Sequence, residues 1–158
     1  MSGKKNNKKS RTSQCMRRAQ VAPKALLEIE IPRGDTKEDK KARRQIIKDF
    51  YAHWFANHPK KIWNRSLQEY IYIKGNSMNE TSGQASFSYE STKEVLRLSE
   101  ILANATLEKR MPPKRDSKNQ KPYSEILIMR WKSAMLVVGR QETTGEYVQY
   151  CISARDKK

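Results

Sequence analysis

With two cysteines and two histidines among 158 residues, the chain is short of the side chains that build zinc sites and disulfide frameworks. Cys15 lies in a basic N-terminal stretch and Cys151 in an apolar run, so neither a metal quartet nor a staple is supported, and this usage fits a reducing compartment. No apolar run approaches the roughly 18 residues of a bilayer span, and the N-terminal stretch holds no signal-peptide core. The expectation is a cytoplasmic protein without membrane contact. A phosphate-binding glycine loop, HExxH, GxSxG and internal repeats are all missing, which argues against hydrolases and nucleotide-binding enzymes built on those motifs. The reading requires no cofactor and no metal. Acidic residues are the last scarcity: 17 Asp plus Glu face 33 Lys plus Arg, a net charge of +16. That excess favours a phosphate-bearing partner, RNA or DNA, over an acidic small molecule.

The positive charge is concentrated at the N-terminus. Lys4, Lys5, Lys8, Lys9, Arg11, Arg17, Arg18 and Lys24 fall in residues 1–24 with no acidic residue among them, predicting a disordered basic tail that neutralises phosphates or simply keeps the chain soluble. Ala25 to Ile31 alternates apolar and acidic residues and reads as a half-exposed strand. Asp35 followed by Glu38 has capping-box spacing and opens a helix with Ile46, Ile47, Phe50, Tyr51, Trp54 and Phe55 on one side. The other side, including Lys37, Lys40, Lys41, Arg43, Arg44 and Lys48, reads equally as a solvated surface or a binding one. His53 and His58 bracket the helix end, where histidines are more often structural than catalytic.

Lys60 to Arg65 reads as a basic connection containing Trp63. Gln68 to Lys74 alternates as a strand, with Tyr70 and Tyr72 opposite Ile71 and Ile73. A break at Gly75 to Ser77 and a polar loop or helical turn over Asn79 to Ser88 follow. Ser91 and Glu94 then form a second capping box before a stripe of Val95, Leu98, Ile101, Leu102 and Ala105. Thr106 to Lys121 is a mobile loop by composition, carrying Lys109, Arg110, Lys114, Arg115, Lys118 and Lys121 among prolines. Three strands close the chain: Ser124 to Trp131, Ala134 to Gln141 and Tyr147 to Ser153, with Gly145 suited to the second turn. The fold class is therefore α+β, with helices packed on an antiparallel sheet that ends in a three-strand meander. Residues 25–68 form an N-terminal extension and residues 69–154 the main domain.

Metal-independent RNA cleavage needs a base, a proton donor and a cation at the phosphorane, roles that Arg, Lys, Tyr and Glu fill. Arg130, Arg140, Tyr147 and Gln149 are polar members of apolar strands, and alternation lets them share an exposed face. Ordinary surface polarity accounts for the same pattern.

Three segments carry a family resemblance: Ile71-Tyr72-Ile73; Asn79-Glu80-Thr81 with Ala85-Ser86-Phe87-Ser88; and Val95, Leu98, Glu100, Ile101, Leu102, Asn104 and Ala105. Together with Gly145-Glu146-Tyr147, they resemble the large polyvalent-protein-associated group of barnase, EndoU, colicin and RelE-like nuclease domains of phages and conjugative elements. The resemblance covers residues 69–154. It implies a ribonuclease-like sheet face in a protein of a mobile genetic element. Gln84 and Val148-Gln149-Tyr150 stand where members of the group often carry histidine, so the implied mechanism rests on Arg, Lys and Tyr. The resulting assignment places Arg130 and Arg140 on phosphate, Tyr147 in proton transfer or stacking, and Glu80 as base. Two other readings stand beside it. One is a non-catalytic DNA- or RNA-binding accessory protein with Trp63 and Tyr123 stacking on bases; the other is a protein-interaction module.

Overall fold

The computed structural model describes residues 30–155. The basic tail, with Lys4, Lys5, Lys8, Lys9, Arg11, Arg17 and Arg18, and most of the strand expected over Ala25 to Ile31 lie outside the described residues. Glu30 and Ile31 are not in a strand.

Helix α1 (Lys37–Asn57) is capped by Thr36, one residue later than the expected Asp35. Thr36 is extended, and its Oγ1 accepts the Asp39 amide at 3.0 Å. The expected apolar side is buried through Ile47, Phe50, Tyr51 and Trp54. Arg43 is a correction. Expected on the exposed side, it is fully buried and donates to the carbonyls of Pro32, Gly34, Ser86 and Phe87 at 2.7 to 3.2 Å. It thus ties the chain before α1 to the turn after the next helix.

That next helix, α2 (Gly75–Ala85), occupies the stretch expected to break and loop. Its buried residues Ser77, Thr81, Ser82 and Ala85 are too small and polar to make an apolar signal, yet at helical spacing they allow close packing on a strand edge. Helix α3 (Tyr89–Val95) starts after Ser88, whose Oγ accepts the Ser91 amide, so the cap lies three residues before the expected Ser91. Arg97 then interrupts the expected single helix, and α4 (Leu98–Asn104) resumes it. The stripe of Val95, Leu98, Ile101, Leu102 and Ala105 is fully buried.

Six strands form one mixed sheet in the order β1-β2-β6-β5-β4-β3: β1 (Lys61–Asn64), β2 (Glu69–Tyr72), β3 (Thr106–Met111), β4 (Tyr123–Trp131), β5 (Ala134–Gln141) and β6 (Tyr147–Ala154). The expected meander β4-β5-β6 is present. Every pairing is antiparallel except β2 with β6. Strand β1 stands where a connection was expected, and β3 takes the start of the expected loop. Both are sheet edges, where short charged strands are usual. Because β1 pairs with β2, a boundary at residue 69 falls inside a hairpin, and α1 shares the main core with α3, α4 and the sheet.

The two sheet faces differ. Ile71, Leu127, Met129, Ala134, Leu136, Val138 and Ile152 join the helices in the main core. On the reverse face, Tyr123, Ile126, Val148, Tyr150 and Cys151 form a smaller cluster with Tyr72, Met111, Ile128 and Val137. Tyr150 is an extra residue in β6, between the register pairs Val138↔Gln149 and Val137↔Cys151. Gly139 must be glycine, because a Cβ there would stand 2.6 Å from the Tyr123 ring. Gly145 turns β5 into β6 at φ +75°, which few side chains tolerate.

Candidate nucleic-acid interface

The β1–β2 hairpin places two cross-strand pairs on the reverse face, one of two aromatics and one of a lysine and a tyrosine. Ile62 pairs with Ile71 toward the helices, so alternation sends Lys61 and Trp63 of β1, and Tyr70 and Tyr72 of β2, the other way. Trp63 lies opposite Tyr70 and Lys61 opposite Tyr72. Trp63 and Tyr70 are 45% and 41% exposed, and they meet edge to face with centroids 5.1 Å apart. The Lys61 ammonium sits 4.4 Å from the Tyr70 centroid. Where β2 ends, a hollow of about 460 Å³ is lined by Phe55, Lys60, Tyr72, Ile73, Lys74 and Gly75. Lys74 is ion-paired to Glu146 at 2.8 Å, and this partner holds the Glu146 carboxyl below its usual range. Lys60 and Lys61 make no ion pair among the described residues.

Asn64 fixes the hairpin. Fully buried, it donates to the carbonyls of Leu102 and Ala105 and accepts the Leu67 amide at 2.8 Å. Ser66 accepts the Leu107 amide, fastening the hairpin turn to β3.

The four residues assigned to cleavage are not gathered into one site. Arg130 pairs with Met135 and Arg140 with Glu125, so the arginines lie five positions apart along the β4–β5 ladder and on opposite faces, separated by roughly 16 Å. The expected shared face fails on this parity. Arg130 forms an ion pair with Glu108. Arg140 and Tyr147 are together, with the guanidinium 5.6 Å from the ring. Arg110 joins them: it pairs with Glu125 at 2.9 Å, and the Tyr147 hydroxyl, then Glu125, raise the Arg110 pKa. Glu80 belongs to α2, accepts from Gln84 and lies near Tyr150 instead. Gln149, also expected on the exposed face, is fully buried on the helix side between Tyr51 and Thr81. His58 stacks on Trp54 at 4.6 Å, and His53 lies beside Asn57; burial and then His58 lower the His53 pKa. Both histidines are engaged by their own helix.

Of the expected basic loop, Lys109 lies on the reverse face of β3 opposite Ile128, while Lys114, Arg115, Lys118 and Lys121 are exposed. The segment is fastened rather than open. The Lys114 amide donates to Gln120 at 2.7 Å, the Gln120 side chain lies near the Tyr150 hydroxyl, and the Glu142 amide donates to the Pro122 carbonyl. Tyr123, expected to stack on bases, is only 2% exposed and bonded to Asn76, so it does not present a free ring. The sequence pattern that marks the real pair is Lys-x-Trp facing Tyr-x-Tyr across a four-residue turn. It was obscured because β1 is short and basic.

Comparison of the chain with protein-family models, curated proteins and solved structures gave no match. Among the described residues, no group of Asp, Glu, His or Cys is placed to hold a metal, and no helix is long and apolar enough to cross a membrane.

Proposed function

We propose that the protein binds single-stranded nucleic acid through the reverse face of its sheet, with unpaired bases stacking on Trp63 and Tyr70 and phosphates meeting Lys60 and Lys61. The carrying observation is the half-exposed Trp63–Tyr70 pair beside Lys61 on the edge hairpin of the sheet. Such rings gain little from partial burial at home and stack on any unpaired base, at about 1 to 3 kcal/mol per base. The chain's net charge of +16 supplies the long-range attraction. Retardation of labelled single-stranded RNA, single-stranded DNA and duplex DNA tests this reading in EDTA. Single strands are expected to bind more tightly than duplex, and Trp63→Ala with Tyr70→Ala to weaken them about tenfold or more. Duplex preference, or full affinity in the double variant, removes it.

A second reading, metal-independent RNA cleavage, is supported by the corner where Arg110, Arg140, Tyr147 and Glu125 meet. There Glu125 rather than Glu80 supplies the carboxylate. Product formation in EDTA that disappears in Tyr147→Phe and Arg140→Ala supports it; an intact substrate ends it.

A further inference from the structure

The reverse face continues beyond the hairpin. At its far side stand Lys109 on β3 and the fastened loop bearing Lys114, Arg115, Lys118 and Lys121. Gln120 brings this loop to Tyr150, a member of the reverse-face cluster, so the loop lies on the same side of the sheet as Tyr72. Among the described residues, none of these five cations has a carboxylate partner, whereas Arg110 and Arg130 beside them are paired with Glu125 and Glu108. Glu108 and Glu125 are thus used on arginines, and Asp116 is the one carboxylate within the loop beside its four cations. Five strand spacings separate β1 from β3, about 24 Å along the sheet.

We infer that the loop is the phosphate-holding half of a split track. Bases stack on the hairpin rings, and the backbone of the same strand runs on over the exposed cations of the loop. The inference rests on the reading of the hairpin as a base-binding surface. It adds a path and a minimum substrate: an unpaired strand of roughly four to six nucleotides, near the lower end of site sizes for small β-folds. A shorter strand reaches only the hairpin. The ring pair and the loop divide the labour, one contributing stacking and the other counterion release.

The test uses the full chain and two oligothymidylates, of about three and about twelve nucleotides, followed by the indole NMR signal of Trp63 and by anisotropy. The variant K114A/R115A/K118A/K121A, with an unchanged melting curve, is expected to weaken the longer strand about tenfold and flatten its salt dependence. Binding of the shorter strand stays unchanged. Equal weakening of both lengths, or weakening of neither, overturns the split track while leaving the hairpin reading intact. Loss of all binding by the parent chain, or unchanged binding by W63A/Y70A, overturns the hairpin reading and the track with it.

Discussion

The helix-side face of the sheet and the β1–β2 edge hairpin come from the same alternating strands, yet they treat polar groups in opposite ways. On the covered face each buried polar side chain is engaged. Tyr51 donates to Gln149 at 2.6 Å, Gln149 donates to Thr81 at 2.7 Å, and Trp54 donates to Ser99 at 2.8 Å. At its margin Arg43 serves four carbonyls. Water is excluded there, so any group left unpaired carries its full desolvation cost. On the hairpin Trp63 and Tyr70 keep nearly half their surface in solvent, and Lys60 and Lys61 beside them have no carboxylate partner among the described residues. The difference teaches where to look for function: polarity spent on internal bonds holds the fold, and polarity left over is available to a ligand.

The sharpest way to break this contrast is at Arg43. Arg43→Ala leaves four carbonyls without their donor and is expected to cost about 3 kcal/mol or more, read as a large fall in Tm, with nucleic-acid affinity unchanged below the melt. The opposite signature belongs to the hairpin. Trp63→Ala with Tyr70→Ala should lower affinity for single strands by about 1 to 3 kcal/mol and leave Tm nearly untouched; a Tm loss larger than the affinity loss would place the rings in the fold rather than the site. Tyr51→Phe keeps the ring and strips one donor from Gln149, a stability loss of about 1 to 2 kcal/mol in denaturant titration with no effect on binding.

Cys151 sharpens the comparison chemically. Burial, and then Glu80, push its thiol up to about 12, so in a Cys15→Ser background an alkylating reagent at neutral pH should react only as the chain unfolds. Rapid labelling of the folded chain would show the reverse-face cluster to be open.

The smallest effect is a pH dependence at Glu100. The Trp131 indole, and then Arg97, hold its carboxyl below the ordinary value of 4.5. A depressed folded pKa means stability that is present above the unfolded value and lost as pH falls through the folded one. Trp131→Phe should therefore narrow the loss of stability seen below about pH 4.5, while values near neutrality retain any packing difference. The carboxylate is partly exposed, so the change is small.

Legibility in the sequence followed the size of the apolar signal. The stripe from Val95 to Ala105 and the runs of β4, β5 and β6 were readable because large side chains recur at helical or alternating spacing. Helix α2 was not, since it buries serines, a threonine and an alanine against β6 and its glycines imitate a break. β3 was hidden by its own charges, Glu108 to Arg110, which an edge strand tolerates because each has solvent on one side. Trp63 was legible as an exposed ring, whereas Tyr123 was misread because nothing local announces that Gly139 leaves a space beneath it. The shared face expected for Arg130 and Arg140 failed on register: five positions is an odd number, and an odd separation reverses the face.

Local chemistry was enough to determine an α+β chain of high positive charge with a C-terminal meander, because periodicity and net charge are properties of neighbouring residues. The tertiary structure alone decided that β1 and β2 carry their rings to the reverse face, that Arg43 is buried, and that Glu80 lies near Tyr150 while Tyr147 meets Arg140. Each of these depends on groups brought together across long stretches of chain, whose pairing is selected by packing and hydrogen-bond satisfaction rather than by any residue's own preference.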